Sequence, residues 1–198
     1  ACSDAAGSRA DSHGQPEILA KIEMNRRSWL LVVALLTTLS ALPLAAQSGE
    51  LRAEVVASGL EHPWALAFIG NGKMLISERP GRLRVIAADG KVGAPVDGLP
   101  AIEVTGQGGL LDVVADRDFA RNRMIYFCYA EPAALGSGNS TAMASARLSD
   151  DARRLEKLTT IFRQTPKVSS RQHFGCRIVE ADDGRLFLTL GDRGSRMA

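Results

Sequence analysis

The phrase Gly72-Lys73-Met74-Leu75-Ile76-Ser77 returns as Gly184-Arg185-Leu186-Phe187-Leu188-Thr189, and Asn122-Arg123-Met124-Ile125-Tyr126-Phe127 is a looser copy between them. The average period is about 56 residues, slightly longer than the repeats of common propeller blades. Around these phrases the chain from Gln47 onward is a series of short β-rich runs: Ala65–Phe68, Met74–Ser77, Leu83–Ile86, Leu110–Ala115, Met124–Tyr129, Ala142–Leu148, Leu158–Arg163, Arg177–Glu180 and Leu186–Leu190. Turn residues such as Asn71-Gly72 and Asp183-Gly184 stand at the joins, and no helical period is visible. Runs such as Met74-Leu75-Ile76 are apolar throughout, which suits sheets covered on both faces. Four strands per period, each unit packed face to face with the next, predict an all-β fold of the β-propeller type. A β-sandwich also has many short strands but does not require a signature to return at blade spacing. About two and a half blades are expected here, fewer than the usual four to eight of a closed ring. The chain therefore reads as a fragment that folds poorly alone.

Composition narrows the function. Hydrophobic residues make up 45% and charged residues 23%, a globular balance. The net charge is +2 and the basic residues are scattered, as in Arg79, Arg82 and Arg84, so nucleic-acid binding has little support. Cys2, Cys128 and Cys176 lie far apart without a C-x-x-C pair, which excludes a zinc knuckle or a thioredoxin-like site and predicts buried free thiols.

From Met24 the chain reads as a secretory signal over residues 24–46. Asn25-Arg26-Arg27 forms the basic region, Ser28–Leu42 the Leu-rich stretch, and Ala45-Ala46 the small-residue end. Pro43 and the short apolar length argue against a retained membrane span. The expected location is periplasmic or secreted. Residues 1–23 are polar and precede what must be N-terminal, so they read as an upstream, non-native extension. The propeller part is residues 47–198.

In a blade, the start of the innermost strand and the end of the next open onto one end of the central channel. That rule groups Gln107, His173 and Asp192 at one mouth. A histidine with a carboxylate to fix its tautomer is a general-base pair fit for alcohol oxidation, although single histidines are more often structural. His62, before Pro63 and Trp64, is read as structural. Gly106-Gln107-Gly108-Gly109 precedes a strand and lacks a following Lys-Ser or Lys-Thr, which excludes a phosphate loop. Its glycines permit close approach by a flat ligand, and the Gln107 amide offers donor and acceptor to quinone-like oxygens; a tight turn between blades is the plainer reading. Trp64 and Phe174 are assigned no functional role.

Three phrases together resemble the soluble quinoprotein glucose/sorbosone dehydrogenase family, in particular its aldose sugar dehydrogenase branch. They are Gly59–Phe68 with Ser77–Leu83, Gly106–Val113, and His173-Phe174-Gly175-Cys176-Arg177 with Gly191-Asp192-Arg193-Gly194. The resemblance covers the chain from about Glu54 onward. It implies a six-bladed propeller that binds pyrroloquinoline quinone at one mouth and oxidises the C1 hydroxyl of an aldose sugar. His173 matches the family's catalytic base, Asp192 its orienting aspartate, and Gln107 the glutamine lining the cofactor and substrate pocket. Cys176 stands where a small Gly or Ser is usual, and its thiol is expected to crowd the strand start or be oxidised in the periplasm. Calcium is also implied. Its ligands, and the residues that pair with the cofactor's carboxylates, are expected in later blades, so no metal residue is named and the fragment alone is expected to be inactive.

Two other classes are open on the residues alone. A non-catalytic propeller binding carbohydrate or protein would not need both His173 and Asp192. A metal-dependent lactone hydrolase needs converging Glu, Asn and Asp ligands, which are not apparent. The sugar, the electron acceptor and the oligomeric state are not readable.

Overall fold

The computed structural model of the protein describes residues 51–194. Among the described residues, those from Ala53 onward form one compact unit. The expected signal segment, the stretch before it and Cys2 lie outside the described residues. No helix among the described residues is long and apolar enough to cross a membrane.

The described residues form ten strands in order: β1 (Pro63–Phe68), β2 (Met74–Glu78), β3 (Arg82–Ile86), β4 (Val92–Pro95), β5 (Leu110–Ala115), β6 (Met124–Pro132), β7 (Asn139–Leu148), β8 (Leu155–Arg163), β9 (Gly175–Glu180) and β10 (Leu186–Leu190). They make two four-stranded antiparallel meanders, β1–β4 and β5–β8, and a third sheet of β9 and β10. The first strand of each sheet packs on the first strand of the next, β1 on β5 and β5 on β9. This is the radial order of propeller blades, and the chain is part of a β-propeller.

Two elements escaped the sequence pattern. The strand β4, Val-Gly-Ala-Pro, contains Gly93 and Pro95 and lacks the β-branched run that marks a strand. It forms because an outermost strand needs only one pairing edge, and Val92 pairs with Ile86 there. A short helical turn, α1 (Phe119–Asn122), also stands among the strands. Its start is fixed by Asp116, whose carboxylate accepts from the Asp118 N–H at 2.8 Å and the Asn122 side chain at 2.8 Å. Phe119 anchors it in the core, and Arg123 ends it in the left-handed conformation.

Alternation along β6 explains why its apolar residues are continuous. Ile125, Phe127 and Tyr129 point into the core shared with the first sheet, beside Leu75, Leu83 and Leu110. Cys128 and Ala130 point the other way, into a second core with Phe174, Cys176 and Ile178 of the third sheet. A strand buried on both faces has no solvent side to mark with polar residues. In contrast, β9 is covered on one face only, with Cys176 and Ile178 buried and Arg177 and Val179 exposed. Alanines at 142, 144 and 146 of β7 allow the first two sheets to approach closely.

Cys128 and Cys176 form a disulfide, contrary to the expected free thiols. The reason is the packing of β6 against β9, which brings their Cα atoms to 6.0 Å although 48 residues separate them. That separation falls in the usual range for a bridged pair. Cys176 is buried without crowding the strand start, but its φ of 86° is a conformation that suits glycine. A second tie joins the same sheets. Buried Asp112 on β5 accepts from the Ile178 N–H at 2.8 Å and pairs with Arg177 at 3.1 Å. In the full-length protein, Cys128→Ser is expected to lower unfolding free energy by about 2–4 kcal/mol, since the loop closed by the bridge is long. Urea midpoints measured with and without reductant check this: reductant should shift the parent and leave the variant unmoved.

Candidate active site

The turn before β5, the turn before β9 and the segment after β10 meet at one end of the sheets. Gln107 lies in the first, in a turn closed by the Gly108 N–H to the Thr105 carbonyl at 2.8 Å. This is the tight inter-blade turn that the four residues 106–109 allowed. Glycine is required at 108, because a Cβ there would lie 2.7 Å from the Phe174 ring and 3.1 Å from Ala130. Arg79, just after β2, steadies the turn from the first blade by donating to the carbonyls of Gly106 and Gly108 at 2.8 and 3.2 Å.

His173 stands before β9 with φ of 54°, a left-handed conformation that a side-chain-bearing residue rarely adopts. Three backbone interactions hold it there. Its N–H donates to Gln107 Oε1 at 2.8 Å, its carbonyl accepts from the Arg193 N–H at 3.3 Å, and the next carbonyl, of Phe174, accepts from Thr141 Oγ1 at 2.7 Å. Gly191 passes so close that a Cβ on it would fall 1.9 Å from the His173 carbonyl oxygen. Only glycine lets the segment after β10 lie against the segment before β9.

That approach brings His173 Nδ1 to 2.7 Å from Asp192 Oδ1. The same oxygen accepts from the Gly194 N–H at 2.9 Å. The Gly194 hydrogen bond first, and His173 second, hold the Asp192 carboxyl below the usual carboxylate range. A carboxylate with a depressed pKa is ionised throughout neutral pH and can only accept. Nδ1 must therefore carry the shared proton, and neutral His173 has its lone pair on Nε2. Both side chains are about half exposed, 51% and 53%, and Nε2 has no hydrogen-bond partner among the described residues.

The three predicted residues thus converge, with one change in the part Gln107 plays. Its Oε1 is engaged by the backbone of His173, so of the two functions expected of its amide only the NH2 donor has no partner among the described residues. His62 is exposed and, with φ of 46°, shapes the entry to β1. Trp64 is 50% exposed beside an apolar groove on the first sheet, and Phe174 is a packing residue, 3% exposed.

A model of the glucose/sorbosone dehydrogenase family matches residues 60–198. The chain belongs to that family. The aldose sugar dehydrogenase of Escherichia coli is 42% identical over 176 residues, which cover 87% of the chain and 46% of that protein. The crystal structure of the soluble E. coli aldose sugar dehydrogenase in its apo form superposes with a TM-score of 0.67 at 44% identity, covering 72% of this chain and 41% of that one. The PQQ-bound aldose sugar dehydrogenase of Streptomyces coelicolor gives a TM-score of 0.62 at 26% identity over the same shares. The chain spans less than half the length of these relatives.

Sequence reasoning missed one buried residue beside the site. Arg193 is 5% exposed and reaches four acceptors at once, yet in the sequence it is one isolated arginine among many. The phrase Gly191-Asp192-Arg193-Gly194 contains it, and nothing in the phrase tells that its side chain turns inward.

Proposed function

We propose that this chain forms the N-terminal part of a periplasmic quinoprotein that oxidises the C1 hydroxyl of aldose sugars. The observation that carries the reading is the hydrogen-bonded His173–Asp192 pair, its Nε2 without a partner among the described residues, set beside Gln107 in a chain of the glucose/sorbosone dehydrogenase family. The donor set fits a quinone cofactor: an amide NH2 on Gln107 for a carbonyl oxygen, and a base for the hydroxyl of the sugar. Pyrroloquinoline quinone, when bound, supplies the oxidising power by accepting the C1 hydride.

The work of the protein's own residues is positional and protic. His173 Nε2 takes the proton of the C1 hydroxyl as the C–H bond is broken. Asp192 holds the ring in the Nδ1–H tautomer and balances the charge that develops on the imidazole. Gln107 fixes the His173 backbone through Oε1 and presents its NH2 to the ligand. Calcium, which the family resemblance implies, has no cluster of three or more His, Cys, Asp or Glu among the described residues to hold it, and no step depends on it here.

Dye-linked oxidation of an aldose panel by the full-length protein tests the reading. Activity that requires added pyrroloquinoline quinone, with aldonolactone as product, is expected. Tight quinone binding with no oxidation of any aldose would overturn it in favour of a binding propeller.

A further inference from the structure

We propose that Arg193 is the positioning residue of the catalytic pair, clamping the His173 segment onto the neighbouring blade so that the imidazole meets Asp192. This rests on the reading of His173 as the base. The guanidinium donates from Nε to the Gln172 carbonyl at 3.0 Å and from Nη2 to the Ser170 carbonyl at 2.7 Å. It also reaches Asn139 at the start of β7, donating to the backbone carbonyl at 3.2 Å and to Oδ1 at 2.6 Å. Its plane covers the Phe174 ring, with Cζ 3.7 Å from the ring centroid. The backbone of Arg193 is engaged as well: its N–H donates to the His173 carbonyl, and its carbonyl accepts from Ser170 Oγ at 2.5 Å.

Every one of these contacts falls on the residues that flank His173 or on the blade beside it. The side chain grips positions 170, 172 and 174, while its chain neighbour Asp192 holds the ring of 173. The arrangement is chemically expensive. Burial pushes the Arg193 guanidinium pKa down, and no carboxylate pairs with it among the described residues. A buried charge satisfied only by carbonyls is a poor choice for filling space, which methionine or leucine would do without desolvation. What neither of those offers is a rigid planar fork that binds several acceptors in fixed directions. The left-handed backbone of His173 is the strained conformation that such a fork would keep in place.

The test uses Arg193→Met and Arg193→Lys in the full-length protein, with three readouts. Histidine-labelled 15N spectra of the apo protein report the His173 tautomer without reference to cofactor or activity. The parent should show one Nδ1–H form and both variants a mixture. In the quinone-loaded protein, kcat should fall by about 10- to 100-fold, as misplacing a reacting group by about 1 Å does. Quinone affinity should change less than about threefold, and the pH profile of kcat should move. Lysine keeps the charge but not the fork, so full recovery in Arg193→Lys would overturn the positioning role in favour of a purely electrostatic one. A fall in melting temperature with the tautomer, kcat and pH profile all unchanged would reduce Arg193 to a structural residue. The base assignment fails separately: it falls if His173→Ala stays active, and the tautomer spectra still decide the clamp.

Discussion

Replacing His173 with alanine in the full-length, quinone-loaded protein is expected to lower kcat by about 10²- to 10⁴-fold, the range for loss of a general base. Cofactor affinity should barely change. The architecture gives reason to expect so clean a separation. His173 is held by its backbone N–H and carbonyl, which alanine retains, and its ring is half exposed. What alanine removes is Nε2 and the partner of Asp192. Stopped-flow reduction of the bound quinone by an aldose, set beside equilibrium quinone titration, separates the two effects. Turnover within a few-fold of the parent would overturn the assignment of the base.

The second large effect is on stability. Phe127 is fully buried in the core between the first two sheets, with its ring centroid 5.9 Å from that of Tyr129. It lies on β6 between Val113 of β5 and Ala144 of β7, its cross-strand partners. These neighbours are small or stiff, so little can collapse into the space left by a lost ring. Phe127→Ala is expected to lower unfolding free energy by about 3–5 kcal/mol. Urea denaturation followed by circular dichroism measures it. A loss below about 1 kcal/mol would mean that the two sheets can slide together, against the tight packing of their alanine-lined interface.

Most of the fold was legible because a blade is a local meander. Glycine-containing turns and apolar runs sit next to each other in sequence, and the expected Leu110–Ala115 and Leu186–Leu190 strands coincide with β5 and β10. Where strands ran longer than their apolar centres, as at β6 and β7, the ends carry Glu131-Pro132 and Asn139-Ser140-Thr141. Those residues look like loop in isolation and pair because β6 and β7 continue their register to Pro132 and Asn139. The grouping of Gln107, His173 and Asp192 was legible for a topological reason, since strand polarity alone puts those positions at one end. Contacts across sheets were not legible. Neither the inward turn of Arg193 nor the bridge between Cys128 and Cys176 leaves a spacing pattern, because each depends on how one blade docks on the next. For the cysteines the expected export signal led only half-way: it pointed to oxidation of Cys176 in an oxidising compartment, but not to Cys128 as its partner.

The Cys128–Cys176 bridge closes more than the interface between two sheets. Between its ends the chain runs out through β6, turns at the exposed tip Ala134–Ser137, and returns through β7 and β8 before reaching β9. Along that stretch the polypeptide is a ring rather than a thread. Scission at this exposed tip would open the ring without dividing the molecule, and His173, itself inside the ring, would remain tethered from both sides.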